Sequence, residues 1–217
     1  MKILSITDIH GAYKTTEEII RHESPDVLVI GGDLTNVGTV REVDQAIGKF
    51  QVLAKKILCV AGNMDLPQHD EFYSRIGVSI NGRGVIIDNV GFFGVSAAPH
   101  SRLRTPYEIS EEEIAQRIER GYADVQSAQW KIFVPHAPPY GTKVDIIHAG
   151  FHVGSMAVRD FVEEAQPHVV LCGHIHEARG QDKIENSHIV NCGPGKEGYY
   201  AIVKIDTDVT ISLHKHS

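Results

Sequence analysis

The stretch KILSITDIHG, residues 2–11, contains the pattern that decides the fold. Residues 2–7 form a short run of apolar and β-branched side chains, which predicts a buried strand. The run ends at a turn with Asp8 and His10, so two side chains able to bind a metal directly follow the strand. Because these two residues are separated by one position, we expect both side chains on one side of an extended segment.

Four further apolar runs end in the same way, at a turn where glycine or proline precedes a side chain able to bind a metal. These turns are Gly32-Asp33, Gly62-Asn63, Pro135-His136 and Gly173-His174-Ile175-His176. In α/β sheets, ligand sites lie beyond the carboxyl ends of strands, so the five turns should converge. The candidate metal ligands are Asp8, His10, Asp33, Asn63, His136, His174 and His176. Seven ligands suit two ions that share a carboxylate, and the absence of thiolates argues against a cysteine-type structural zinc site.

The pattern around these turns predicts the fold class. Residues 40–54 have apolar side chains at helical spacing between two continuous apolar runs, which predicts a parallel sheet covered on both faces. The second half is richer in strand patterns, with a hairpin expected at residues 84–96 and three strands between residues 188 and 214. We therefore predict an α/β fold in which two sheets are sandwiched between helices, and one domain that spans residues 1–217.

Composition and charge exclude several classes of protein. With 42% apolar and 23% charged residues, the chain is neither disordered nor collagen-like. Its apolar runs are far shorter than the roughly 18 residues of a membrane-spanning helix, and Asp8 follows the first run too soon for a signal peptide. A net charge of −7 without a basic block gives no support for binding to long nucleic acid. We therefore expect neither a membrane nor a long nucleic acid as a partner.

The three cysteines predict the cellular compartment. Cys59, Cys172 and Cys192 are an odd number at wide spacing, which is typical of buried thiols rather than of a disulfide framework. A reducing environment suits such thiols, so a cytoplasmic location is expected. The edge strands of a two-sheet fold would also permit a homo-oligomer.

The five blocks, in their order along the chain, resemble those of the calcineurin-like metallophosphoesterase family. The resemblance extends from Asp8 to the turn at Gly193-Pro194-Gly195, and it implies a four-layer α-β-β-α architecture with a dinuclear metal centre. By motif, one ion would be held by Asp8, His10 and His176. The other would be held by Asn63, His136 and His174, with Asp33 bridging the two. The resemblance further implies that Asp33, Asn63 and His136 act in catalysis.

The resemblance also implies a reaction and a cofactor. The chain is expected to hydrolyse a small phosphoester, with a hydroxide that bridges the two ions attacking phosphorus in line. Mn²⁺ is the ion that the family suggests, while the nitrogen and oxygen ligands would also accept Fe, Zn²⁺, Ni²⁺ or Mg²⁺.

One position departs from the family pattern. The third block usually reads Gly-Asn-His, and its histidine helps to protonate the leaving group, whereas here Met64 follows Asn63. A thioether cannot transfer a proton, and general acid catalysis is typically worth about 10²–10⁴-fold in rate. Relatives without this histidine are similar to phosphodiesterases, so we predict a phosphodiesterase. The alternatives are a phosphomonoesterase acting on small phosphate esters and a non-catalytic, protein-binding scaffold of the same fold.

The sequence allows two interpretations for each of several other polar residues. Asp65 is either a carboxylate that supports the metal ligands or the N-cap of a following helix. His148 and His152 are either substrate contacts or exposed loop residues. A replacement for the missing acid would come from the histidines expected in loops, which are His69, His100, His148 and His152.

Overall fold

The computed structural model describes residues 1–216, and Ser217 lies outside the described residues. The strands in this range are β1 (Lys2–Ile6), β2 (Val27–Gly31), β3 (Ile57–Val60), β4 (Gly84–Ile87), β5 (Val90–Val95), β6 (Ala98–Pro99), β7 (Glu108–Ile109), β8 (Trp130–Pro135), β9 (Val169–Cys172), β10 (Gly180–Ile184), β11 (Ser187–Asn191), β12 (Tyr199–Ile205) and β13 (Val209–Lys215). The helices are α1 (Tyr13–Glu23), α2 (Val40–Leu53), α3 (Pro67–Arg75), α4 (Glu111–Ala123) and α5 (Met156–Ala165), with short 3₁₀ turns at His176–Ala178 and Gly195–Glu197.

Two large sheets contain most of these strands. The first has the order β13-β12-β1-β2-β3 and the second the order β10-β11-β9-β8-β5-β4, while β6 and β7 pair separately. Strands β1, β2 and β3 are mutually parallel, and so are β5, β8, β9 and β11. The parallel strands of each sheet therefore end at a common edge.

The two sheets face each other across an apolar core. Alternate residues of the central strands fill it, for example Val27 and Val29 of β2 and Ile132 and Val134 of β8, all of which are buried. This alternation is expected when one face of each strand packs on a facing sheet.

Helices cover the outer faces of both sheets. On the second sheet, Phe93 of β5 packs against Tyr122 of α4 and Phe161 of α5, with ring centroids 5.6 and 5.7 Å apart. On the first sheet, Ile30 belongs to the same buried cluster as Phe50 of α2. The predicted two-sheet sandwich flanked by helices, with four layers in the order α-β-β-α, is therefore confirmed.

Most predicted elements are present, but three short strands, β6, β7 and β10, were not predicted. The helix predicted at residues 40–54 is α2, and the hairpin predicted at residues 84–96 consists of β4 and β5. Strand β10 was missed because its sequence, GQDKI, is mostly polar and lacks an apolar alternation. The two-residue pairing of β6 with β7 is too short to leave a pattern. None of the helices within residues 1–216 is long and apolar enough to cross a bilayer.

Candidate metal centre

The seven side chains predicted as metal ligands lie close together, at the carboxyl ends of five parallel strands. The turns after β1, β2, β3, β8 and β9 supply, in that order, Asp8 and His10, Asp33, Asn63, His136, and His174 with His176. Two hydrogen bonds across the sheets hold these turns together. His136 Nδ1 donates to the carbonyl oxygen of Gly31 at 2.9 Å, and the His174 N–H donates to Asp8 Oδ2 at 3.1 Å.

Asp8, His10 and His176 form one group of potential ligands. The Nε2 atom of His176 lies 3.3 Å from Asp8 Oδ1 and 3.3 Å from His10 Nε2. One ligand atom from each residue lies within 4.8 Å of the other two, close enough to bind a single ion. Within residues 1–216, the buried Nδ1 atom of His10 has no hydrogen-bond partner. Three ligand atoms this close together, from the buried Asp8 and two partly buried histidines, fit a cation.

Asn63, His136 and His174 form a second group. The Oδ1 atom of Asn63 lies 3.0 Å from His136 Nε2 and 2.7 Å from His174 Nδ1. Since Nδ1 of His136 donates to a backbone carbonyl, a neutral His136 ring presents the lone pair of Nε2 to the Asn63 oxygen. Two acceptors would then face each other, and a cation between them resolves that conflict. The second group therefore also fits a metal ion.

Asp33 lies between the two groups. Its Oδ2 atom is 3.7 Å from His10 Nε2 and 3.7 Å from His136 Nε2, while Oδ1 accepts a hydrogen bond of 2.7 Å from the Met64 N–H. Oδ1 is thus fixed by a backbone N–H, and Oδ2 lies at the same distance from one histidine of each group. This is the position that a shared ligand would need.

Burial and neighbouring charges shift the pKa values of three residues in the cluster. Burial raises the pKa of Asp33 to about 7, and the nearby carboxylate of Asp8 adds to the rise. Burial would also raise the pKa of Asp8, but the hydrogen bond with His176 and the neighbouring imidazoles lower it to about 2. Burial lowers the pKa of His174 to about 3, so its ring is neutral at pH 7, which is the form that binds metals.

The backbone at four of the candidate ligands is left-handed. Asp8, His10, Asp33 and His174 have φ values between 46° and 68°. The expectation that Asp8 and His10 lie on an extended segment is therefore wrong. Aspartate and histidine tolerate this region better than most residues, and strained backbone is common at functional sites. These turns bring the ligands together by local backbone geometry rather than by strand alternation.

Asp65 connects two of the ligand turns. Its buried carboxylate accepts hydrogen bonds from the backbone N–H groups of Leu34, Thr35 and Gly62, and from the Thr35 hydroxyl. It thereby links the turn that holds Asp33 to the turn that holds Asn63. The N-cap of α3 is Leu66, so the N-cap reading of Asp65 is wrong.

The other histidines lie outside the cluster. His69 is in α3 rather than in a loop, and it is fully buried with Nδ1 accepting from the Leu66 N–H and Nε2 facing the Gly38 carbonyl. It is therefore unavailable as a proton donor to substrate. His148 and His152 lie in the loop between β8 and α5. His152 contacts Asp145, a buried residue that the sequence pattern did not reveal.

Substituting Gly62 by alanine should weaken metal binding. A Cβ atom at this position would collide with the carboxylate of Asp33. Displacement of a ligand by a neighbouring change typically lowers metal affinity by about 10–100-fold, and we expect a loss in that range, measured by titration with Mn²⁺. The control is Gly48→Ala in α2, where a Cβ would have no atom within 4 Å. That control should keep wild-type metal affinity, and equal affinity in Gly62→Ala would contradict the close packing described here.

Comparisons with known proteins identify the family and the fold of this chain. The family model described as calcineurin-like phosphoesterase matches residues 1–178. An uncharacterized protein of Methanocaldococcus jannaschii is 33% identical over 198 residues, which is 89% of this chain and 88% of that protein. Among solved structures, a protein of Thermus thermophilus is similar with a TM-score of 0.73 at 16% identity, covering 99% of this chain and 98% of that one. A dimetal phosphatase from Danio rerio has a TM-score of 0.69 at 11% identity, covering 99% and 96%.

The two structural similarities support the fold alone, whereas the family model, which matches most of the chain, establishes the family. The resemblance seen in the five sequence blocks is thus confirmed, and the Asp and His groups of the cluster are able to hold metal. The chain belongs to the calcineurin-like phosphoesterase family and is a metal-dependent phosphoesterase.

Proposed function

We propose that this protein hydrolyses small phosphodiesters with two divalent metal ions bound in the cluster. The observation that carries the proposal is an Asp33 oxygen 3.7 Å from each ligand group, next to a position where Met64 replaces a proton-donating histidine. The first feature supports two ions that share a ligand. The second supports substrates that depend less on a general acid at that position.

The proposed ligand sets follow the two groups. Asp8, His10 and His176 would hold one ion, Asn63, His136 and His174 would hold the other, and Asp33 would contact both. When bound, two such ions would neutralise charge on the phosphoryl oxygens and make a water molecule more acidic. Mn²⁺ is our first choice of ion, and Fe, Zn²⁺, Ni²⁺ and Mg²⁺ also suit these nitrogen and oxygen ligands.

Three residues of the cluster have distinct roles in this proposal. Asp33 is held by the Met64 N–H, so its free oxygen stays between the groups. His136 is oriented by the Gly31 carbonyl, which leaves Nε2 as the ligand atom. Asn63 is a neutral ligand, so the cluster contains only two carboxylates and leaves a net positive charge for binding phosphate once ions are present.

A phosphomonoesterase is the second candidate. Monoesters with poor leaving groups need a proton donor, and the contact between His152 and Asp145, 2.7 Å from Nδ1 to Oδ1, shows that a supported histidine exists in the loop after β8. The relative rates on diesters and monoesters separate the two candidates.

We expect bis-p-nitrophenyl phosphate to be hydrolysed faster than p-nitrophenyl phosphate by protein stripped of metal and reloaded with Mn²⁺. Met64→His should raise the rate on phenyl phosphate, whose leaving group is poorer, and the gain should approach the roughly 10²-fold typical of a general acid. Met64→Leu is the matched control and should leave this rate unchanged. A general preference for monoesters in the wild-type protein would select the phosphomonoesterase instead.

We also propose a cytoplasmic protein with residues 1–217 forming one domain. Cys59, Cys172 and Cys192 are free and buried, which suits a reducing compartment. Strand β12 follows the residues that the family model matches, yet it pairs with β1 in the middle of the first sheet. This pairing supports one folding unit. The net charge of −7 favours a small phosphoester over long nucleic acid as substrate.

A further inference from the structure

Helices α4 and α5 form a groove with an apolar floor on the outside of the second sheet. The groove has a volume of about 680 Å³. The rings of Tyr122 and Phe161 meet edge to face between the two helices, with centroids 5.2 Å apart. The floor consists of buried or half-buried side chains from both helices, namely Ala115, Ile118, Tyr122, Ala157, Phe161 and Ala165. Among residues 1–216, none that lines the groove belongs to the ligand cluster, so its role is separate from the proposed function.

The spacing of residues along α5 separates the floor of the groove from its rim. Ala157, Phe161 and Ala165 follow one another at intervals of four positions, which places them on one ridge of the helix. Asp160 and Glu164 lie on the adjacent ridge, and both are exposed. The helix therefore presents an apolar ridge to the groove and an acidic ridge along its edge.

The charged side chains that line the groove all carry carboxylates. In the part of the chain that the structure describes, no lysine, arginine or histidine lines it, and the acidic residues are Glu111, Glu119, Asp160 and Glu164. Glu111 is already engaged, because it accepts hydrogen bonds from the Ser155 hydroxyl and the Ala157 N–H at the start of α5. The other three carboxylates are exposed to solvent.

These three carboxylates have no cation beside them. Arg117 of α4 and Arg159 of α5 are the nearby cations in sequence, and they pair with Glu113 and Glu163 instead. Within residues 1–216, no ion pair involves Glu119, Asp160 or Glu164. Asp160 and Glu164 are also four positions apart on one helix, where like charges repel each other. The rim of the groove thus carries negative charge that a cationic partner would neutralise.

We propose that this groove binds a basic amphipathic helix of another protein. The apolar face of such a helix would cover Ile118, Tyr122 and Phe161, and its lysine or arginine side chains would pair with the acidic rim. Helix α5 has 10 residues, so a partner helix would contact it over roughly 15 Å, or about three turns.

Other partners match the charge of the groove less well. A symmetric contact between two copies of this chain would bring two acidic rims together, and the net charge of −7 adds to that repulsion. Anionic lipid surfaces and nucleic acids would be repelled by the same carboxylates. The charge of the rim therefore selects a cationic protein segment.

The test uses a fluorescent peptide of about 14 residues, made of leucine and lysine with leucine at every third and fourth position of a helix. A scrambled peptide of the same composition, without an apolar face, is its control. We expect the amphipathic peptide to bind the wild-type chain at least about tenfold more tightly than the scrambled peptide, measured by fluorescence anisotropy. Added salt should weaken this binding, because part of it is electrostatic.

Reversing two rim charges should disrupt the site. The double variant Asp160→Lys/Glu164→Lys should bind the amphipathic peptide about tenfold or more weakly, because attraction becomes repulsion. The matched control is Asp44→Lys/Glu71→Lys, at exposed positions of α2 and α3, which makes the same change in net charge. The control should keep the wild-type affinity, and both variants should keep the wild-type circular dichroism spectrum.

Met156 shows whether the peptide occupies the groove. Its side chain lines the groove and is 47% exposed, so hydrogen peroxide can oxidise it to the sulfoxide. The bound peptide should slow this oxidation, measured by mass spectrometry of the digested protein. Met1, which does not line the groove, is the internal control and should be oxidised at an unchanged rate.

Four results would overturn the inference. Equal affinity for the two peptides, or equal weakening in the two double variants, would mean that bulk charge alone attracts the peptide. Unchanged oxidation of Met156 in the complex would place the peptide elsewhere on the protein. A wild-type dimer that Asp160→Lys/Glu164→Lys dissociates would make a second copy of this chain the occupant instead.

Discussion

Replacing Asp33 by alanine is expected to lower kcat/KM for bis-p-nitrophenyl phosphate by about 10³-fold or more. The expectation follows from the shared position of its Oδ2 atom, 3.7 Å from His10 Nε2 and from His136 Nε2. Metal ions supply several kcal/mol of transition-state stabilisation, and each 1.36 kcal/mol corresponds to about tenfold in rate. Loss of the ligand between the two groups should remove much of that stabilisation.

The measurement is steady-state hydrolysis together with the metal content of the purified variant. Asp33→Ala should bind less Mn²⁺ per chain than the wild-type protein and keep its circular dichroism spectrum. Asp44→Ala, an exposed position on α2, is the control and should retain both activity and metal. Full hydrolysis by Asp33→Ala would contradict the proposed role of Asp33 and the two-ion mechanism.

Replacing Asp65 by alanine should destabilise the protein by about 3–5 kcal/mol. Its carboxylate is fully buried and accepts hydrogen bonds from three backbone N–H groups, those of Leu34, Thr35 and Gly62, and from one hydroxyl. A buried donor left without a partner costs about 1–3 kcal/mol, although relaxation of the loops reduces the sum. The two ligand turns would also lose their connection, so metal affinity should fall as well.

Urea denaturation of the metal-free protein measures the first effect, because it separates folding from metal binding. Asp44→Ala should change the free energy of unfolding by less than about 0.5 kcal/mol, as is usual at exposed positions. If Asp65→Ala changed the free energy of unfolding by as little as Asp44→Ala, water would have replaced the carboxylate. The connection between the two turns would then not be needed for stability.

The convergence of the seven candidate ligands was predictable because its signal is local. Each candidate ligand lies in a turn that follows a short apolar strand, and in four of the five turns a glycine or proline precedes it. The parallel strands of each sheet bring such turns to a common edge. The geometry of the turns was not predictable in the same way. Asp8 and His10 adopt left-handed backbone conformations that depend on pairing with the neighbouring turn, such as the hydrogen bond from the His10 N–H to the Asp33 carbonyl.

The roles of two buried carboxylates, those of Asp145 and Asp65, could not be predicted from the sequence either. Asp145 has no strand pattern around it, and its partners are backbone groups of Gly141, Thr142 and Gly154 that any sequence would supply. Asp65 had two readings, and its contacts with Leu34 and Thr35, about thirty positions earlier, decide between them. Long-range contacts of this kind become visible only in three dimensions.

The left-handed turns also limit how the metal preference of this enzyme can evolve or be redesigned. At Asp8, His10, Asp33 and His174, β-branched or bulky replacements would add backbone strain to any change in ligand chemistry. Asn63, His136 and His176 are free of that restriction, because their φ values lie outside the left-handed region. Variants selected for a different ion should therefore accumulate substitutions at these three positions first.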